Sequence, residues 1–444
     1  MRKLLKRILF EPPKIISLMF IFGFRFILDY VYIDIISPRY SYTGLTTEFS
    51  WRMYVLSIIM MFIFIILINS ISDIQKCGAI ILSILLFCSA IPTTTIVAFR
   101  NVTVEFAVLF TVYWCILIFL YKANCKKIRL KSMRTLKRSS ISMYFIFIFF
   151  VAVVIFSTLY TGIHISFNLY DVYNIRQAYQ NSNLPNLLSY LLKSSIVVFP
   201  TILVYALNSK KRILAISAIV FQLLLFFIDG RKSTLFVLVA VILGFRFIKN
   251  FNAKVLPFST FALSLVSILE KVLLGSINIM VLLIRRLFFV TAYLQFAYYD
   301  FFKTMPKDYF RQGIMRRFGL ESPYNQSIET MIGDLYYLPG SYANNGLFSD
   351  AYANLGVAGI IILPIMIALV LKLLDRACEG VEIGKCIGII FVASYTLLSS
   401  SFFTVMITHG FLVGCLVMYL MPRMKAKEYE SICTNNQGGF DKCG

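Results

Sequence analysis

Apolar runs close to membrane length alternate with short polar connections along almost the whole chain. They cover residues 15–36, 51–69, 78–98, 103–121, 141–160, 188–207, 213–228, 233–248, 255–284, 351–374, 386–407 and 409–422. A helix that crosses a hydrocarbon core of about 30 Å needs roughly 20 predominantly apolar residues. The runs therefore predict about twelve transmembrane helices, several of them short. The runs on either side of Asp229-Gly230-Arg231-Lys232 hold 16 residues each. At ~1.5 Å per residue each covers only ~24 Å, which sinks this turn below the membrane surface into a polar recess. Thr408-His409-Gly410 is a similar turn ahead of a run of 14 residues. Residues 285–350 break the alternation as one polar stretch, predicted to be a large external loop. The polar end of the chain, residues 428–444, is predicted to be a flexible cytoplasmic tail.

Composition agrees with this pattern. Of the 444 residues 59% are hydrophobic and 14% charged, and the mean hydropathy is +0.80. This predicts an all-α polytopic membrane protein forming one transmembrane domain. The net charge of +22 raises nucleic acid as a partner, but cytoplasmic Lys and Arg that set topology account for it, so no nucleic acid is expected. The basic start (Arg2, Lys3, Lys6, Arg7, Lys14) leads into a full apolar run without a small-residue cleavage site. With that start cytoplasmic, the cluster of eight Lys and Arg from Lys122 to Arg138 also falls inside, and both termini are cytoplasmic. The nine cysteines then all fall in helices or inside segments, as suits free thiols beside an oxidising exterior.

Candidate chemistry sits on the outer side. Arg231 is foremost, because a guanidinium near membrane depth needs a cavity or a partner and its planar fork suits diphosphate. Asp229 is its structural alternative partner. Arg176, Arg285 and Arg286 are candidates for the same lipid-phosphate site, with interfacial snorkelling as the plain alternative for the last two. Arg311, Arg316 and Arg317 read as a solvated face or a headgroup contact. His409 is either a structural histidine or a base or phosphate ligand in the recess. Glu270 is either half of a self-neutralising pair with Lys271 or a buried general base. Arg25 and Asp29, four apart, predict an ion pair on one helix face. The two histidines are 245 residues apart and no Cys/His cluster or Asp-x-Asp pair is present, so no metal is expected. No phosphate-cradling glycine loop is found either, and no cofactor is expected.

The span count, the Asp229-Gly-Arg-Lys-Ser233 turn, the long late loop and its ending Asn345-Gly-Leu-Phe-Ser-Asp350-Ala-Tyr-Ala-Asn354-Leu-Gly356 carry a family resemblance. So do Tyr173-Asn-Ile-Arg176 and Thr408-His409-Gly410. The chain resembles the oligosaccharide repeat-unit polymerases of bacterial surface polysaccharide pathways, the O-antigen polymerases of Wzy type. The resemblance implies a GT-C-like glycosyltransferase of the bacterial inner membrane that needs no metal or nucleotide sugar. Donor and acceptor would both be oligosaccharides on undecaprenyl diphosphate, polymerised on the outer face into O-antigen or capsule. Membrane lipids, a chain-length regulator and a flippase of the same pathway would be its partners. On this expectation Arg176, Arg231, Arg285 and Arg286 hold diphosphate, and His409 and Glu270 are catalytic. Arg317, Asn345, Asp350 and Asn354 line the glycan path in the external loop. The alternatives are an O-antigen ligase, against which residues 285–350 lack a histidine, and a lipid-linked oligosaccharide flippase.

Overall fold

The computed structural model describes residues 14–123, 140–163, 172–247 and 253–423. The chain is a multi-pass membrane protein, helical throughout, and no strand occurs among the described residues. Ten helices are long and apolar enough to cross a membrane: α1 (Lys14–Thr43), α2 (Trp51–Ile71), α3 (Cys77–Phe99), α4 (Val104–Lys122), α5 (Ser140–Thr161), α7 (Asn186–Asn208), α8 (Arg212–Asp229), α10 (Ala253–Leu274), α11 (Met280–Thr304) and α12 (Phe348–Ala377). The short polar helix α6 covers Val172–Gln180. Three shorter apolar helices complete the set: α9 (Lys232–Phe247), α13 (Ile383–Ser399) and α14 (Phe411–Leu420). The 428–444 tail and His164 lie outside the described residues.

Two compact units divide the chain. The first is Met1–Asn124, Asn252–Lys372 and Ala393–Met406; the second is Cys125–Phe251, Leu373–Val392 and Ile407–Gly444. In the first unit α3 is the central helix, 94% buried against 39% for α1 and α2. Its polar residues Ser83, Ser89, Thr93, Thr94 and Thr95 are all buried. Several bond back to the preceding turn, as Ser83 does to Ala79 at 2.9 Å and Thr93 to Ser89 at 2.8 Å, so their hydroxyls are satisfied without water. The expected Arg25–Asp29 pair is present at 2.7 Å. It reaches across to α3, Arg25 Nη1 donating to Thr94 at 2.8 Å and Thr95 donating to Asp29 at 2.9 Å. Gly23 brings α1 against α10 so closely that a Cβ there would stand 2.7 Å from the Phe261 ring, the small-residue contact that lets membrane helices approach.

Two boundaries differ from the expectation. The apolar run 255–284 is not one helix: it stops at Gly275, whose φ of +62° ends α10, and α11 starts at Met280. The polar stretch 285–350 accordingly is not loop from its first residue, since 285–304 belong to α11 and 348–350 to α12. The reason is packing. Met280, Ile284, Arg285, Phe288 and Phe289 are buried in its first half, and Ala292 to Tyr299 with Phe301 and Phe302 in its second, so the segment packs as a helix although its Arg, Asp and Lys residues make it look polar when read linearly.

Both ends of α11 are tied to neighbouring segments. Its start is held by Glu270, and the adjacent Lys271 pairs at 2.6 Å with Asp34 in the last third of α1. Its end is held by an ion pair of 2.9 Å from Lys303 to Glu105 at the start of α4. The connections after α1 and after α3 lie together, Glu48 N–H donating to the Phe99 carbonyl at 2.7 Å.

Candidate functional site

The second unit gathers the strongest concentration of unlike chemistry. Helix α8 ends at Gly230, held at φ +62°, a conformation that favours glycine. Its N–H caps the Phe226 carbonyl at 2.9 Å, and α9 begins two residues later. In this tight turn the Asp229 carboxylate accepts the Arg231 backbone N–H at 2.9 Å and stands 3.7 Å from Arg231 Nε. The longer contact leaves the guanidinium only loosely engaged; its side chain is 32% exposed against 14% for Asp229. Arg176, on α6, reaches the same turn and donates from Nε to the Gly230 carbonyl at 3.1 Å. Its helix is pinned to α7 by the Tyr179–Ser189 hydroxyl contact at 3.2 Å.

The turn before α14 completes the group. Gly410 has φ +71°, and a Cβ there would lie 2.6 Å from the Ser194 Cα. Backbone therefore meets backbone, and His409 is set beside the part of α7 that carries Lys193. Burial pushes the His409 imidazole down to about 4 from 6.5, and the positive charges of Arg231 and Lys193 push in the same direction. Arg176, Arg231 and Lys193 thus outnumber Asp229 around one half-buried imidazole. Such an arrangement attracts an anion, and the arginine forks favour phosphate oxygens.

Neutral His409 has a consequence in solution. The unfolded chain takes up a proton near pH 6.5 that the folded site accepts only near 4. Its contribution to stability is therefore complete above about pH 6.5 and is lost as pH falls towards 4. The expected result is an acid-side drop in thermal midpoint that is shallower in His409→Asn; identical pH profiles of the two proteins would remove this assignment.

The other expected site residues are placed differently. Arg285 and Arg286 belong to the first unit, Arg285 buried and Arg286 exposed. Glu270 does not pair with Lys271, which pairs with Asp34, and its carboxylate is engaged by three donors of its own segment. Its Oε1 accepts from Ser276 Oγ at 2.7 Å and Asn278 N–H at 3.0 Å, and its Oε2 accepts from Ile279 N–H at 2.7 Å. It caps the start of α11. Glu270→Ala is expected to lower the thermal midpoint of the purified protein while its product length stays unchanged.

The residues expected along a glycan path are mostly interior ties. Asn345 is buried and donates to the Thr291 carbonyl at 3.2 Å and Ser349 Oγ at 3.0 Å. Asp350 accepts the Phe402 N–H at 2.7 Å and Asn354 Nδ2 at 2.9 Å, and Asn354 accepts the Phe310 N–H at 2.7 Å. They fasten residues 305–347 to the helices, and the Asn345–Gly356 pattern is accounted for by buried backbone that needs partners. Arg317 is exposed on its own loop. Lys193 escaped the sequence reading, although a lysine inside the apolar run 188–207 was a usable signal.

No protein-family model, no curated protein and no solved structure matches the chain.

Proposed function

We propose that the chain is a metal-independent membrane glycosyltransferase that polymerises oligosaccharide repeat units carried on undecaprenyl diphosphate. Its place would be the outer face of a bacterial inner membrane, with both termini cytoplasmic. The observation that carries this reading is the cation group Arg176, Arg231 and Lys193 with His409 at one helix end. In the reaction, a hydroxyl oxygen of the acceptor's terminal sugar bonds to the anomeric carbon of the donor glycan. The bond from that carbon to the diphosphate oxygen breaks, and the diphosphate leaves with the electron pair. Charge grows on the leaving oxygen in the transition state, and pre-placed guanidinium groups in a water-poor recess stabilise it.

His409, neutral at pH 7, offers one N–H to the diphosphate or one basic nitrogen to the hydroxyl proton. Arrival of an anion between Arg231 and Lys193 offsets the charges that hold its proton affinity down. The carrier's lipid also has a place in the same unit. An apolar cleft of about 340 Å³ is lined by Phe145, Phe149, Leu191, Val413 and Leu416. Val413, four residues after His409, is among its lining residues, and the cleft would take the first part of the polyprenyl chain. The sequence resemblance to O-antigen polymerases, carried in part by the same Arg176, Arg231 and His409 segments, supports the same reading.

The test is deletion of the gene in its native host, with the surface polysaccharide resolved on a gel. A polymerase defect leaves a single capped repeat unit. Unchanged long chains would sink the proposal, and loss of even the single unit would point to an earlier step such as transport.

A further inference from the structure

Two arginines of the first unit, Arg285 buried and Arg100 half-buried, hold buried guanidinium nitrogens without a counter-charge. Arg285, on α11, is 7% exposed. Its Nη1 donates to the Tyr337 hydroxyl at 3.0 Å, and its guanidinium carbon lies 4.3 Å from the centre of the Tyr40 ring. Its Nε is buried with no hydrogen-bond partner. Arg100, directly after α3, lies 4.5 Å over the Tyr293 ring and 5.0 Å over the Phe296 ring. Its Nε and Nη1 are likewise buried and without partners. Neither arginine forms an ion pair with a carboxylate among the described residues.

The two positions share one framework. Tyr293, which Arg100 covers, donates to the Tyr336 carbonyl at 2.6 Å, and the next residue, Tyr337, accepts from Arg285. Tyr336 in turn donates to Asp300 at 2.9 Å, so the nearby carboxylate is engaged by a phenol rather than by either arginine. Gly44 lets these parts meet, since a Cβ there would fall 2.1 Å from the Tyr293 hydroxyl. Ring faces relieve part of the cost of burying a guanidinium, but N–H donors turned to no acceptor in a low-dielectric bundle stay unfavourable. No acceptor for them is found among the described residues, so a group that brings acceptor oxygens would satisfy them.

We infer that Arg100 and Arg285 form a second anion site, walled by Tyr40, Tyr293, Tyr336 and Tyr337, for an oxyanion carried on a saccharide. The anion is a phosphate or a sugar carboxylate, both of which match guanidinium donors, and tyrosine faces suit a sugar ring. The saccharide as carrier rests on the function proposed above; the anion site rests only on the buried, unpartnered donors.

The test uses the purified full chain with Arg231→Ala, which weakens the second unit's cation group. Its thermal midpoint is measured against pyrophosphate, glucuronate and neutral glucose. Pyrophosphate or glucuronate should raise the midpoint in a concentration-dependent way and glucose should not; which anion acts identifies the source. Adding Arg100→Met should weaken the apparent affinity about tenfold or more, and Arg285→Met serves the same purpose if that protein does not fold. Absence of a shift with both anions, or a shift unchanged by these substitutions, overturns the site. The glycan phenotype of the gene deletion is a separate readout, so either proposal can fail alone.

Discussion

Arg231→Ala is expected to leave the cell with single capped repeat units and to lower turnover of the purified protein at least about a hundredfold. The size follows from where the charge stands. Arg231 sits in the turn between α8 and α9, loosely held by Asp229 at 3.7 Å, so its side chain is available to an incoming anion rather than spent on a tight internal pair. A donor aimed at charge that develops in the transition state acts on turnover itself, whereas uniform binding of donor and product does not. Arg231→Lys should recover only part of the activity, because a point charge cannot donate two parallel hydrogen bonds. The thermal midpoint should move little in either variant, since the Asp229 contact to the Arg231 backbone N–H, 2.9 Å long, does not depend on the side chain. Full-length polysaccharide from the alanine variant at normal membrane levels would take Arg231 out of the site.

The largest expected effect on stability lies in the other unit. Asp29→Ala should destabilise the protein by about 3–5 kcal/mol, the usual consequence of stranding one partner of a buried ion pair. Arg25 is 2% exposed and Asp29 8%, so the guanidinium left behind has no route to water. Both residues also bond to the central helix, through Thr94 and Thr95, and losing the carboxylate loosens α1 from α3. The double variant Arg25→Met, Asp29→Leu should regain most of the loss, because an apolar pair of similar volume escapes the desolvation cost altogether. Unfolding of the three proteins, wild type, single and double variant, in one detergent decides the matter: equal losses in the single and double variants would show that the charge pairing is not what holds the contact.

Parts of this site were legible in the chain. The Arg25–Asp29 pair follows from a spacing of four on a helix, and the exposed guanidinium of Arg231 from a glycine turn between two short apolar runs. Lys193 was visible as a charge in an apolar run, but its neighbourhood with His409 depends on the close approach of Gly410 to Ser194, which residues 216 positions apart in sequence cannot reveal. Glu270 looked like a possible base because its partners are backbone N–H groups, and these carry no signature in sequence. Asn345, Asp350 and Asn354 looked like loop residues beside a substrate, although the buried backbone around them already required acceptors and donors.

Hydropathy by itself determined that this chain crosses a membrane many times and located most of its long helices, though not the break at Gly275 inside the run 255–284. That follows because transfer of a residue to hydrocarbon is a local property, summed over about 20 neighbours in sequence. Only the tertiary structure decided that α3 is the buried centre of its unit, that α11 is tied at both its ends by ion pairs and caps to its neighbours, and which charges share a site. Inside a bilayer an apolar side chain gains little by choosing a protein neighbour over lipid, so composition does not distinguish a central helix from a peripheral one. Polar and charged groups do choose, since each must find a partner, and those partners lie far apart in sequence.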